Sequence, residues 1–250
     1  MITSKSWPHE HILAATIEYE CKIRGAQRMA FPSVVGGGNN GTIIHYSRND
    51  QQIQEGDMVL VDAGCEFYGY ASDITRTWPP CGKFYPAQRD IYEAVLQASQ
   101  ECLSLCRPGI TLNEIHDHSV RILSENIRKL GLFKDVQLNY AMLNPTSIGH
   151  YLGMDVHDCS SISKSQPLQP GVVITIEPGL YIPTQDNIPN KYRGIGVRIE
   201  DEVLITECGC EVLTTSIPKE VEEIEARLQK STTQVHPLAR VPRIKAPSRL

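Results

Sequence analysis

The chain has 250 residues, of which 41% are hydrophobic and 21% are charged, so it carries enough apolar material to bury one or two cores. Its 24 basic and 29 acidic residues give a formal net charge of -5, which argues against nucleic acid as the main ligand. The sequence has no apolar run of about 18 residues, the length of a membrane span, and its first segment lacks the features of a secretory signal. We therefore expect a soluble chain without a targeting sequence.

Eight cysteines are spread along the chain without a C-x-x-C pair or the paired spacing of a structural zinc site. A chain of this length does not need disulfides to stabilise its core. We therefore predict free thiols and a reducing compartment.

One helix and two short β-rich runs begin the chain. Apolar positions recur at helical spacing from Pro8 to Gly25, and the glycine favours a helix end. Residues 29–35 and 42–47 are rich in strand-forming side chains, which predicts two strands. Between them, GGGNNG satisfies G-x-G-x-x-G, but a strand-like run follows it instead of a helix. A dinucleotide site lacks its context here, so we predict a flexible loop.

A β-hairpin and two helices follow. The sequence GDMVLVDAGCEFYGYASDITRTW predicts two strands about a turn near Tyr68. Pro86 begins a helical stretch that reaches Cys106. Thr111 and the glutamate three residues later predict a capping box for a second helix, which reaches Gly131.

Strands dominate the C-terminal half. VVITIEPGLYI and YRGIGVRIEDEVLIT predict strands on either side of a turn-rich linker, and a short strand in EVLTT precedes an acidic helix from Pro218. Each half thus offers helices and a carboxylate-bearing hairpin, which predicts a duplicated α+β unit. Residues 227–250 are basic, contain prolines and lack acidic side chains. We predict one domain over 1–228 and a disordered tail without assigned function over 229–250.

Two aspartates of the hairpin are expected to face each other. Asp62 and Asp73 stand on either side of the turn, so strand pairing brings both carboxylates to one face. Facing carboxylates repel, and Arg76 is a candidate cation to offset them. A solvated acidic hairpin is the alternative that the pair taken alone favours.

Two glutamates interrupt apolar strands further along the chain. Glu177 and Glu200 lie among β-branched residues, where an uncompensated charge would cost several kcal/mol. GHYLGMDVHD adds His150 and His157, either of which alone would more often be an ordinary packed or surface residue. Four carboxylates and a histidine on β-elements form an oxygen-rich set that suits two divalent cations.

Four ordered segments carry a resemblance to a known family. VDAGCEFYGYASDITRTW, GHYLGMDVHD, VITIEPGLYIP and GIGVRIEDEVLIT resemble the metal-site segments of the M24 metallopeptidases, in particular the Xaa-Pro aminopeptidases. The resemblance runs from about Glu10 to Glu225. It implies the α+β pita-bread fold, with an antiparallel curved sheet, helices outside and two halves related by a pseudo-twofold axis.

The resemblance also implies a set of metal ligands. The first aspartate would hold one cation, the second aspartate and the last glutamate would bridge both, and the histidine and the other glutamate would hold the second cation. The expected cations are two Mn²⁺, with Co²⁺ or Zn²⁺ as alternatives. The implied ligands are Asp62, Asp73, His150, Glu177 and Glu200.

The family reaction assigns roles to further side chains. A hydroxide bridging the cations would attack the first peptide bond of an X-Pro peptide, and Glu177 would move its proton. His45 and His157 are implied as catalytic and substrate-binding groups, and Arg198 as a substrate-side group that steadies the carboxylates. A structural or exposed His45 on a short strand is the alternative from sequence alone. The resemblance further implies peptide substrates, no nucleic-acid or membrane partner, a homodimer as one allowed assembly, and a mitochondrial or cytoplasmic location.

Two departures from the family pattern leave alternatives open. Family members usually carry a separate N-terminal domain, whereas this chain starts almost directly with its first helix, so we expect a fragment, a processed form or a short isoform. Thr146 stands where the family usually has a histidine, which changes the rim of the pocket. A prolidase-type dipeptidase and a shortened, inactive isoform acting as a binding module are the alternative functions.

Overall fold

A computed structural model describes residues 8–132 and 136–230 of the chain. The N-terminal half contains six short strands and the first helices. Its elements are α1 (Glu10–Ile23), β1 (Arg28–Met29), β2 (Val34–Gly37), β3 (Val59–Ala63), β4 (Cys65–Phe67), β5 (Tyr70–Ala71), β6 (Ile74–Trp78), α2 (Pro86–Leu105) and α3 (Leu112–Lys129).

The remaining elements form the C-terminal half. They are α4 (Val136–Leu143), β7 (Val173–Ile176), β8 (Gly179–Tyr181), β9 (Gly196–Arg198), β10 (Asp201–Thr206), β11 (Gly209–Val212) and α5 (Val221–Lys230). The sequence did not predict α4. No helix within the described ranges combines the length and apolarity needed to cross a membrane.

The predicted hairpin forms the centre of the first half. Strands β2, β3 and β6 make an antiparallel sheet in which Asp62 lies opposite Thr75. The hairpin continues outward as β4 and β5, and the turn between them places Tyr68 and Gly69 at φ 48° and 84°. Paired positive φ angles are the geometry of a tight hairpin turn, which explains the glycine. The turn prediction is confirmed.

The second half repeats this arrangement with its own strands. Strands β11, β10 and β7 form a second antiparallel sheet, and β8 pairs with β9. The halves meet where the backbone N–H of Glu200 donates to the carbonyl of Thr75 at 3.1 Å. The expectation that each half supplies helices and an antiparallel sheet is confirmed.

Helix α2 packs against strands β7, β8 and β9, and α3 packs against α2. Pro86 opens α2, and the hydroxyl of Thr111 accepts the N–H of Glu114 at 3.1 Å to cap α3, as predicted. One apolar cluster lies between these helices and the first sheet, and a second lies beneath β7 and β10. Burial of these two clusters supplies the main stabilisation of the fold.

Two sequence predictions about the first loops are wrong. Residues 42–47 form no strand, because the chain turns through a 3-10 helix (Gly38–Thr42) and then a turn that contains His45. GGGNNG is packed instead of flexible: a Cβ on Gly36 would lie 2.8 Å from the backbone of Asn40, and a Cβ on Gly196 would lie 1.9 Å from the carbonyl oxygen of Gly41. Its glycines permit close backbone contact between the two halves.

The end of the domain also differs from the prediction. α5 continues to Lys230, whereas the predicted domain ended at residue 228. Leu228 is buried, so this last turn still packs on the core. Residues 231–250 lie outside the described residues, and the predicted disordered tail there stays a prediction.

Candidate metal centre

A cavity of about 470 Å³ opens where the two sheets meet. Its lining includes four carboxylates and one imidazole that come from strands, strand ends or the segment that runs beside β7. These are the five predicted ligands, Asp62, Asp73, His150, Glu177 and Glu200.

The two aspartates lie close to each other because the strands of the first hairpin approach closely between them. Asp62 lies on β3, and Asp73 lies just before β6. Between them, a Cβ on Gly64 would lie 1.7 Å from the carbonyl oxygen of Ser72, so only glycine fits there. The backbone N–H of Asp73 donates to a carboxylate oxygen of Glu202 at 2.7 Å, which ties the first hairpin to β10.

The second half brings His150 against Glu177. The segment around His150 runs beside β7, where its backbone N–H contacts the hydroxyl of Thr175 at 3.1 Å. A Cβ on Gly149 would lie 1.9 Å from the carbonyl oxygen of Thr175, so this approach requires glycine. The ring Nε2 of His150 then lies 3.6 Å from Glu177 and 3.4 Å from Asp73.

The tautomer of His150 follows from its other nitrogen. Nδ1 lies 3.0 Å from the carbonyl oxygen of Tyr151, and a carbonyl only accepts, so Nδ1–H donates. A neutral ring therefore keeps its lone pair on Nε2, which faces the carboxylates. This is the orientation that metal-binding histidines adopt.

Glu177 and Glu200 both sit at strand breaks, which differs from the strand interiors that the sequence suggested. Glu177 separates β7 from β8, and Glu200 separates β9 from β10. At these breaks the side chains leave the regular alternation of the sheet. Ligand atoms of Asp73, His150 and Glu200 all lie within 4.8 Å of one another, a spacing that could hold a metal ion.

Two buried carboxylate oxygens have no partner among the described residues. They are Oδ1 of Asp62 and Oδ1 of Asp73. A buried unpaired anionic oxygen is costly, and both face a cavity lined by further carboxylates. The donor set fits divalent cations, which would satisfy these oxygens and offset the mutual repulsion of the four acids.

Burial and crowding raise the pKa values of Asp62, Glu177 and Glu200. Burial raises the pKa of Asp62 to about 7, against the opposing charge of Arg198. Burial also raises the pKa of Glu177, and burial with the charges of Glu177, Asp73 and Asp62 raises that of Glu200 well above its usual value. Burial opposes protonation of His150, but its contacts with Asp73 raise its pKa overall. Cations bound between these carboxylates would favour their ionised forms.

Arg198 is the cation that contacts Asp62, and the prediction that Arg76 offsets the two aspartates is wrong. The guanidinium of Arg198 donates to Asp62 at 2.5 Å and to the hydroxyl of Thr75 at 2.9 Å, and that hydroxyl donates to Glu200 at 2.8 Å. Arg198 is 2% exposed. Another N–H of its guanidinium donates to the hydroxyl of Tyr181 at 2.8 Å. Arg198 thus holds Asp62 directly and Glu200 through the hydroxyl of Thr75.

Arg76 points away from the cavity, on the other face of β6. It pairs with buried Asp201 at 2.7 Å and donates to the carbonyl oxygen of Glu200. Asp201 also accepts from Thr214 and from Lys219. Alternation along β6 explains the error, since Thr75 and Arg76 must face opposite ways. The sequence signal for Thr75 was its place two residues after Asp73.

His45 and His157 both line the cavity. The ring of His157 meets that of His150 edge to face, with centroids 4.5 Å apart. Burial and the nearby His150 lower the pKa of His157, which favours its neutral form. Thr146 also lines the cavity, and its hydroxyl contacts Asn144 at 3.0 Å. Sequence reasoning missed Lys164, a further lining residue in a polar loop without a motif.

Comparison with known proteins identifies the family. The model of Metallopeptidase family M24 matches residues 4–207. The chain belongs to this family. It is 58% identical over 228 residues to intermediate cleaving peptidase 55, mitochondrial, of Arabidopsis thaliana, and 47% identical over 231 residues to human Xaa-Pro aminopeptidase 3. These alignments cover 91% and 90% of this chain.

Solved structures agree with the family assignment. Escherichia coli aminopeptidase P in complex with the inhibitor Pro-Leu superposes with a TM-score of 0.85 at 44% identity, over 91% of this chain and 54% of that chain. A zinc-substituted form of the same enzyme, in complex with product, gives the same TM-score and identity. The predicted pita-bread fold is confirmed. This chain spans about half the length of its curated relatives, 46% of both the Arabidopsis and the human protein.

Proposed function

We propose that this chain is the catalytic part of a metal-dependent aminopeptidase that releases the N-terminal residue from X-Pro peptides. The observation that supports this most is the pair of buried, unpartnered oxygens of Asp62 and Asp73 inside a cavity that also presents Nε2 of His150. The names of the curated relatives support the choice of peptide substrate.

Two divalent cations fit the four acids and one imidazole described above. Asp62 would hold one cation, Asp73 and Glu200 would hold both, and His150 and Glu177 would hold the second. When bound, such cations polarise a carbonyl group and lower the pKa of a water molecule toward neutrality. Mn²⁺ suits the carboxylate-rich set, with Co²⁺ or Zn²⁺ as alternatives.

Glu177 moves the proton in this mechanism. Its buried carboxylate has a raised pKa, which makes it a stronger base that can accept a proton from the attacking water and return it to the leaving prolyl nitrogen. Arg198 keeps Asp62 and, through Thr75, Glu200 in position during this transfer.

The two remaining histidines act on the substrate. His157 is held beside His150, and its lowered pKa favours a neutral ring that donates a hydrogen bond to the carbonyl oxygen as negative charge develops. His45 lies across the same cavity and orients the proline side of the scissile bond.

Metal removal and restoration tests this function. Purified protein treated with EDTA should lose hydrolysis of an X-Pro tripeptide and regain it when Mn²⁺ is added. A tripeptide with alanine in place of proline is the matched control, and we expect it to be cleaved much more slowly. Hydrolysis that survives EDTA would contradict the proposal.

Two alternatives make different predictions in the same assay. A prolidase-type enzyme would cleave X-Pro dipeptides in preference to tripeptides. An inactive binding module would bind peptide without hydrolysis, although the five metal-site positions all carry competent side chains. Preference for the tripeptide would exclude both.

We propose a mitochondrial location, supported by the printed name of the Arabidopsis relative, with the cytoplasm as the alternative. The acidic net charge of -5 supports peptides over nucleic acids as partners. Fractionation of cells tests the location, and light scattering of the purified protein tests whether it forms a homodimer.

A further inference from the structure

Lys164 stands out among the groups that line the cavity because its charge is not taken up by a carboxylate. Its ammonium group donates to the carbonyl oxygen of Gly149 at 3.0 Å. Within the described ranges, no carboxylate oxygen lies within 4.0 Å of it. An ammonium group has three donors, so Lys164 keeps donors for a ligand. Arg198, the other long cation of the cavity, is committed to Asp62, Thr75 and Tyr181.

The position of Lys164 is fixed by its loop. Its backbone carbonyl accepts the N–H of Asn113 at the start of α3, at 3.1 Å. Further on, the N–H of Leu168 donates to the carbonyl oxygen of Ile110 at 2.8 Å. The loop is therefore anchored at both places to the segment that begins α3. A held cation binds a ligand at a lower entropic cost than a free surface lysine does.

The charge of Lys164 acts on one side of the centre. Gly149, its partner, directly precedes His150, and its charge lowers the pKa values of Glu177 and His157. In the proposed function, Glu177 returns its proton to the leaving prolyl nitrogen. The Glu177 side of the cavity therefore receives the leaving part of the peptide. Thr146 and Ser160 line the same cavity and add hydroxyl groups.

We propose that Lys164 is a specificity-determining residue that binds a carboxylate on the leaving part of the peptide, beyond the proline. This inference rests on the proposed function. When two divalent cations balance the four acids of the centre, the charge at Lys164 is left without a counterion and attracts an anionic group. The carboxylate belongs either to the C-terminus of a short peptide or to an acidic side chain of a longer one.

Two matched peptide pairs distinguish these sources. Ala-Pro-Ala is compared with its C-terminal amide, and Ala-Pro-Glu-Ala-amide with Ala-Pro-Gln-Ala-amide. We expect the acidic member of at least one pair to be hydrolysed with a kcat/KM about fivefold higher, mainly through a lower KM, and this preference should shrink as salt rises. A preference in the first pair identifies the C-terminal carboxylate, and one in the second pair identifies the side chain.

Variants of Lys164 then test the residue itself. K164M should remove the preference by bringing the KM of the acidic member to that of its neutral partner, K164R should keep most of the preference, and K164E should disfavour the acidic member. K129M, at an exposed lysine of α3, is the matched control and should behave like the wild type.

Three results would overturn the inference: no preference in the wild type, a preference that survives in K164M, or an equal loss for acidic and neutral peptides. If the wild type hydrolyses none of the peptides, the proposed function fails. Calorimetric titration of the same peptide pairs into wild type and K164M then decides the inference, which predicts tighter binding of the acidic member to the wild type alone.

Discussion

At the residue scale, one threonine and one arginine determine how the acids of the centre are held. Arg198 contacts Asp62 directly and reaches Glu200 through the hydroxyl of Thr75. This arrangement explains how four carboxylates share one cavity with a single buried guanidinium behind them. Truncation of a side chain that holds a cation should therefore lower the metal content, whereas truncation of a side chain that acts on substrate should lower turnover alone.

Replacement of Glu200 tests the first class. Glu200→Ala removes the proposed bridging carboxylate, so two cations would face each other with less negative charge between them. We expect loss of at least one cation per chain and loss of detectable hydrolysis. Metal content by atomic emission after dialysis is the measurement, and a variant that retained both cations would contradict the bridging role.

Replacement of His157 tests the second class. His157→Ala should keep both cations, because its ring contacts that of His150 but holds no cation in the proposal. Loss of one donor to a developing oxyanion typically lowers kcat by about 100- to 1000-fold. Steady-state kinetics on an X-Pro tripeptide measures this. Full turnover would show that the assigned role is wrong.

At the element scale, the start of β10 joins the metal centre to the rest of the fold. Glu200 faces the cavity, the next residue, Asp201, is buried between Arg76 and Lys219, and Glu202 accepts the N–H of Asp73. The three acids bind groups in three different directions. This short segment therefore fixes the position of both strand pairs at the centre.

Removal of the buried partner should destabilise the fold. Asp201→Ala leaves Arg76 buried without its carboxylate, and breaking such a pair costs about 3 to 5 kcal/mol. Urea unfolding measures the change in the free energy of unfolding. Glu222→Ala is the matched control, because its partner Arg89 is exposed and also pairs with Glu93, so we expect little change. Equal effects of the two variants would contradict the account.

Sequence reasoning located the helices and hairpins because their signals are local. The capping box at Thr111, the proline at the start of α2 and the turn at Tyr68 are each set by neighbouring residues. Local reasoning chose Arg76 as the partner of Asp62, because Arg198 lies 136 positions away and meets Asp62 only after the two halves pack; the family resemblance alone pointed to Arg198. The strand predicted over 42–47 was lost to backbone packing of the glycine segment against Gly196, which no local pattern encodes.

At the scale of the whole molecule, the two halves carry opposing carboxylates, so stability without metal should depend on pH. The pKa of Asp62 is raised from 3.8 to about 7 in the folded chain, so the folded state binds more protons than the unfolded state between these values. Its contribution is present below about pH 4 and is lost as the pH rises through about 7.

The corresponding measurement is the melting temperature of metal-free protein across this pH range. We expect the melting temperature of the wild type to fall between pH 5 and pH 7.5 relative to that of Asp62→Asn, whose side chain does not titrate. Added Mn²⁺ should remove most of this difference between wild type and variant. The same change of melting temperature with pH in the variant and the wild type would show that Asp62 does not cause the pH dependence.

The central claim is that residues from both halves together bind two cations. Anomalous diffraction from crystals of the Mn²⁺-loaded protein, measured at the manganese absorption edge, tests it directly. The account predicts two anomalous peaks about 3.5 to 4 Å apart, enclosed by Asp62, Asp73, His150, Glu177 and Glu200. A single peak, or peaks only outside this cavity, would contradict it.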